Sequence, residues 1–271
     1  MRKSFARAAA AFALAVVCSA PAFDTAVAQS ESFEAPRTAS GAPDFNGVWQ
    51  ALNEANWGLE GHAAYAGPVL ELGAAYATPP SRGFVEGGTI PYQPWAAKQR
   101  DENFAHRLER DPEVKCYLPG VPRATYMPHP FQIIQSDSHI MIAYQYRGAV
   151  RTIYMKDHKP APVPSWMGWS NGRFEGDSLV VETTGFNGMT WFDRAGNFHD
   201  ENLRVVERFT HLSPNHLMYE ATIEDPTVFT RPWTIRMPLY RRVEQNAQIM
   251  EFKCMVFVED LLYGDLAKPE Q

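Results

Sequence analysis

Apolar and polar residues alternate through most of the second half of the chain. Leu217, Tyr219, Ala221 and Ile223 are interleaved with Met218, Glu220, Thr222 and Glu224, and Trp233, Ile235, Met237 and Leu239 with Thr234 and Arg236. A period of two sends successive side chains to opposite faces of a strand, so each segment has one dry and one polar face. Further strands are predicted over 131–135, 139–146, 150–155, 173–175, 179–184, 203–210 and 248–257, separated by turn sequences such as Ser136-Asp137-Ser138, Gly176-Asp177, Ser213-Pro214-Asn215 and Asp225-Pro226. Strands joined this closely are antiparallel neighbours. The expected fold is mainly β, an antiparallel meander whose closure into a barrel removes its exposed edges. Whether the polar faces look into a cavity or out to solvent stays open at this point.

The first half reads differently. A short strand is expected over 44–50, followed by a long Gly-, Pro- and Ala-rich excursion over 58–94 that includes Pro79-Pro80 and Gly87-Gly88. Pro94 suits the first turn of a helix, and Ala97, Phe104, Ala105 and Leu108 share one face at helical spacing, which predicts one short helix over 94–111. No repeat of about 20–50 residues is present, which argues against a propeller or solenoid.

Arg2, Lys3 and Arg7 precede an apolar run over 8–17, and Ala26-Val27-Ala28 stands before Gln29. That order predicts a signal peptide over 1–28, then a flexible leader over 29–43 and a single domain over 44–271, with a periplasmic or secreted location. The expected mature chain carries a net charge of −8, because three basic residues and one acid of a chain of net −6 lie in 1–28. So acidic a chain offers no electrostatic footprint for nucleic acid or an anionic membrane. No later apolar run reaches the roughly 18 residues of a transmembrane helix. Of the three cysteines, Cys116 and Cys254 lie beyond the signal, and in an oxidising compartment two such cysteines predict a disulfide.

Candidate chemistry gathers in two places. Residues 191–199 read Trp-Phe-Asp-Arg-Ala-Gly-Asn-Phe-His, with an acid, a guanidinium, an imidazole and three rings in nine positions. Asp193 and His199 are candidates for general acid and base, and Arg194 for a bidentate anion clamp. In Pro122-Arg-Ala-Thr-Tyr-Met-Pro-His-Pro130, prolines stiffen a backbone that carries Arg123, Tyr126 and His129. Here Tyr126 is a candidate to polarise an oxyanion, and Arg123 and His129 to bind substrate. Trp169, Trp191 and Phe192, with Trp166 and Phe198, are candidates for an aromatic pocket wall. A loop tied down by ion pairs and a set of packed core rings explain the same residues equally well. Glu224-Asp225-Pro226 reads first as a tight turn. Metal-ligand spacings, phosphate loops and dinucleotide fingerprints are absent, so neither metal nor cofactor is expected, and a serine-hydrolase elbow is not expected either.

Gly47-Val48-Trp49, the 115–123 segment Lys-Cys-Tyr-Leu-Pro-Gly-Val-Pro-Arg, the 191–199 motif and the 224–233 segment Glu-Asp-Pro-Thr-Val-Phe-Thr-Arg-Pro-Trp together resemble a broad family of exported bacterial proteins of unknown function. The Gly-x-Trp and the meander also resemble lipocalin-like (calycin) β-barrels. The resemblance implies export and a shared barrel architecture and carries over no catalytic residue. Three functions follow from the residues. The first is a cofactor-independent enzyme, of lyase, decarboxylase, hydratase or isomerase type, that performs acid–base chemistry on an aromatic or apolar small molecule bearing an acidic group. The second is a non-catalytic, lipocalin-like binding or carrier protein. The third is a carbohydrate-binding envelope protein with its rings on an exposed strip. An enzyme needs acid and base converging, a carrier needs an apolar pocket, and an envelope module needs neither. Oligomeric state is not encoded in any of these features.

Overall fold

The alternating segments form strands that neighbour one another in chain order. The computed structural model describes residues 33–67 and 69–263, and the expected signal peptide lies outside them. Its strands are β1 (Gly47–Gln50), β2 (Phe131–Gln135), β3 (His139–Tyr144), β4 (Val150–Tyr154), β5 (Trp169–Glu175), β6 (Ser178–Thr184), β7 (Arg204–Ser213), β8 (His216–Glu224) and β9 (Trp233–Arg241). They close into a barrel, with β1 joined to β9 through Trp49↔Arg241 and Gln50↔Tyr240. One step departs from the antiparallel meander. β4 and β5 pair in parallel, at Ile153↔Ser170 and Tyr154↔Asn171, because the Pro-rich stretch between them is long enough to cross over rather than turn back. β5 accordingly starts at Trp169, earlier than the expected 173.

The dry faces point inward and fill the barrel. Ile133, Ile142, Ile153, Val181, Val205, Phe209, Leu217, Ile235 and Leu239 are all buried in one continuous core. Inside this core sits one ionic network, in which Arg151 of β4 pairs with Glu207 of β7. Tyr219 donates to Glu207 at 2.8 Å, and Arg151 donates to Ser170 and Thr183 at 2.8 and 2.7 Å. These bonds offset the desolvation that a buried ion pair suffers. Most other polar rows of β7, β8 and β9 face outward.

Three expectations are corrected. The strand expected over 248–257 does not form. Pairing of β1 with β9 leaves no edge for it, and the segment lies irregular and largely exposed on the surface before α4 (Val258–Tyr263). It is tied down by the expected disulfide, Cys116–Cys254, with Cα atoms 5.8 Å apart. The single helix over 94–111 is two, α1 (Pro94–Ala105) and α2 (Arg107–Arg110), and two further short helices occur, α3 (Arg123–Tyr126) and α4. Its buried residues are Ala96 and Asn103, not the Ala97/Phe104/Ala105/Leu108 face. Asn103 turns inward because its amide donates to the Gly196 carbonyl at 3.3 Å. Finally, the described part of the leader is folded. Thr38 N–H donates to Ala42 O at 2.8 Å, Ser40 donates to Asp137 at 2.7 Å, and Arg37 pairs with Asp177, fastening it to two hairpin turns.

Candidate functional site

The two stretches singled out in the sequence meet at one end of the barrel, where α1, α2, α3 and the 191–199 loop pack together. Four donors converge on Asp193. Leu59 N–H, Ala195 N–H, Asn197 N–H and the Asn197 side-chain amide lie 2.8, 3.0, 3.3 and 2.6 Å from its carboxylate oxygens. A short acid that bonds the backbone ahead of it is a loop organiser. The loop is closed further by Phe192 N–H to Asn197 O at 2.7 Å and by a bridge between Trp191 and Phe198. Gly196, at φ +84°, lies so close to α1 that a Cβ would stand 2.7 Å from Phe104 N. Burial pushes the Asp193 carboxyl up to about 6, against the pull of its donors and of Arg123.

His199 is equally enclosed. Its Nδ1 lies 2.8 Å from the Asp200 carbonyl and its Nε2 2.6 Å from the Thr190 hydroxyl. A carbonyl only accepts, so Nδ1 carries the proton and Nε2 accepts from Thr190. Burial lowers its pKa and keeps the ring neutral. Tyr126 donates to the Phe192 carbonyl at 2.8 Å, and burial raises its phenol well above the ordinary value.

Arg123 and Arg194 are joined by a residue the sequence did not single out. Glu113 receives Arg194 bidentately, Nε and Nη2 each at 2.8 Å, and Arg123 Nη2 at 2.6 Å. Arg123 also forks onto Asp111, at 2.9 and 3.1 Å, and donates to Asn56 at 2.9 Å. Burial alone would raise the Glu113 carboxyl, but the Arg194 and Arg123 charges hold it down to about 2. Asp111 moves the other way, raised by burial that outweighs Arg123. Asp111-Pro112-Glu113 between the arginines at 107, 110 and 123 is the pattern that marks this network in the sequence.

The remaining candidates are scattered. Phe192 belongs to the core against Trp233, Phe229 and His199. Trp169 stacks on Tyr154 at 4.6 Å on the barrel wall. His129 packs on Tyr146 and Phe252, and burial lowers its pKa. The run Gly168-Trp169-Ser170-Asn171-Gly172 carries the Gly-x-Ser-x-Gly spacing, although no serine-hydrolase elbow is expected. It lies in β5 rather than on a strand-to-helix turn, and Ser170 is buried, bonded to Arg151 and Thr183, so it is no nucleophile elbow. Asp225 forms the expected turn, accepting from Thr227 N–H and Asp200 N–H. Among the described residues no three His, Cys, Asp or Glu side chains converge as a metal site requires.

Beside the network lies a cleft of about 250 Å³. Trp57, Tyr65 and Tyr76 supply rings, Leu108 an apolar wall, and Arg107 and Arg194 charge. Arg194 lies 5.6 Å from the Trp57 ring centre. Arg107 donates to Phe104 O at 2.9 Å and lies 4.4 Å from the Phe104 ring centre, yet has no carboxylate partner among the described residues. Asp111 lines the cleft but is committed to Arg123. Compared with models of known protein families and with curated proteins, the chain matches none.

Proposed function

We propose that this chain is an exported binding protein for a small apolar or aromatic molecule that carries an acidic group, seated in the cleft of Trp57, Tyr65, Tyr76, Arg107 and Arg194. Arg107 carries the reading: a guanidinium without a carboxylate among the described residues, set among aromatic rings, is what an anionic ring compound needs for charge pairing and for burial. Binding without turnover is favoured over acid–base catalysis. Asp193, His199 and Tyr126, nominated to move protons or polarise an oxyanion, are each 2 % exposed or less, and each is bonded within the protein. Export is consistent with the Cys116–Cys254 disulfide and with the absence, among the described residues, of a helix long and apolar enough to cross a membrane.

The test is calorimetric titration of the full chain with benzoate, 4-hydroxycinnamate and their neutral amides. The acids are expected to bind and the amides not. Arg107→Gln should weaken the acids by about tenfold, the effect of losing a charge-assisted contact of about 1.4 kcal/mol. Heat from the amides equal to that from the acids, or unaltered affinity in Arg107→Gln, overturns the reading.

A further inference from the structure

Residues 107–115 line a second cleft as well, and its chemistry differs from that of the first. It has a volume of about 230 Å³, and its walls include Arg110, Lys115, Tyr117, Trp191 and Phe198. Tyr117 is 43 % exposed, unlike the core rings. Two more rings adjoin the lining of the cleft. Trp95, 50 % exposed, meets Phe198 edge to face at 6.1 Å, and Trp166 meets Tyr117 at 4.8 Å. Trp95 is fixed in place because its indole N–H donates to the Thr227 carbonyl at 3.2 Å. The result is a connected set of rings, Trp95–Phe198–cleft–Tyr117–Trp166, in which Trp95 and Tyr117 are exposed and Phe198 and Trp166 partly buried. Lys115 forms no ion pair among the described residues, while Arg110 pairs with Glu102 at an exposed position.

Several adjoining rings, two of them exposed, beside a lysine without a carboxylate among the described residues suit a chain of flat units that are apolar on their faces, polar at their edges and negatively charged. We infer that this surface binds an acidic oligosaccharide, whose sugar rings lay their C–H faces on Trp95, Phe198 and Tyr117 while a uronate carboxylate meets Lys115. The inference is independent of the ligand assigned to the first cleft.

Trigalacturonate and its fully methyl-esterified counterpart are the probes, titrated into the full chain and followed by calorimetry and tryptophan emission. The free acid should bind and the ester should bind at least about fivefold more weakly. Lys115→Gln should erase that preference, and Trp95→Ala should weaken both forms by about fivefold. Both substitutions fall on side chains outside the core, and circular dichroism checks that each variant is folded. Arg107→Gln should leave trigalacturonate affinity unchanged, which separates this site from the first. No binding of trigalacturonate to the parent chain, equal binding of acid and ester, or full affinity in Trp95→Ala overturns the inference.

Discussion

The 191–199 loop and the cleft beside it adjoin one another and treat polar groups in opposite ways. In the loop, Asp193, His199 and the Asn197 amide are buried and bonded to partners supplied by the same chain. In the cleft, Arg107 faces rings and a backbone carbonyl with no counter-ion among the described residues. The loop resembled an active site in the sequence because it concentrates acid, base and guanidinium. That concentration is what lets those groups satisfy one another. The cleft is lined from 57, 65, 76, 107, 108 and 194, residues brought together only by folding. Crowding of reactive residue types within one loop is therefore a mark of a knot as much as of a site.

The sharpest break of this comparison is Asp193→Ala. It strips the acceptor from four donors in a buried place, each costing about 1–3 kcal/mol when unsatisfied. Rearrangement and entering water relieve part of that, so a loss of about 3–5 kcal/mol is expected from urea unfolding. A loss under about 1 kcal/mol would show that the loop does not depend on this carboxylate.

The wall of the barrel was legible because alternation with a period of two is a property of the chain itself. Leu217, Tyr219, Ala221 and Ile223, and Trp233, Ile235, Met237 and Leu239, form the dry faces as read, and that these faces fill the barrel is decided by the fold. Closure was legible too, although its consequence for 248–257 was not, since whether an edge remains depends on β1 meeting β9 across most of the chain. The face of α1 was misread because Asn103 is buried by a hydrogen bond to Gly196, a partner remote in sequence. Of the candidate residues, Arg123, Tyr126, Phe192, Asp193 and Arg194 come together as one bonded cluster, and only Arg194 of them lines the cleft. Glu113 was missed because an acid between Pro112 and Val114 reads as one of many surface acids, and the run of acids and arginines around it gains meaning only once α3 and the 191–199 loop deliver Arg123 and Arg194 to it.

A smaller effect separates the two carboxylates of this end by pH. Asp193 sits near 6 when folded against about 3.8 unfolded, so the folded state holds its proton more tightly. Its contribution is present below about pH 4 and is lost as pH rises through about 6, by roughly 2–3 kcal/mol. Glu113, held at about 2 against 4.5, behaves oppositely and loses its contribution as pH falls through that range. Buried His199, His129 and His211, all lowered, add stability as pH rises through their unfolded value of 6.5. The difference between the parent chain and Asp193→Asn isolates the aspartate. Unfolding free energy at pH 4.5 and 7 should show a gap between the two that changes by about 2 kcal/mol. A gap independent of pH would mean that Asp193 is ionised throughout.

The smallest expected effect discriminates most cleanly between a knot and a catalytic group. Among the described residues Tyr126 has one side-chain hydrogen bond, its hydroxyl donating to the Phe192 carbonyl at 2.8 Å, and its ring lies in the core. Removing that hydroxyl in Tyr126→Phe keeps the packing and leaves one carbonyl without its donor, a cost of about 1 kcal/mol. If the hydroxyl serves only to hold the loop, aromatic-acid affinity in the Arg107 cleft should stay within about twofold of the parent chain, an energy difference under about 0.5 kcal/mol. If Tyr126 instead polarises a bound anion, affinity should fall by about tenfold while stability hardly changes. Paired urea unfolding and calorimetric titration of this one variant read both quantities. A fall in affinity without a fall in stability would move Tyr126 from the knot to the site and reverse the distinction between the two regions.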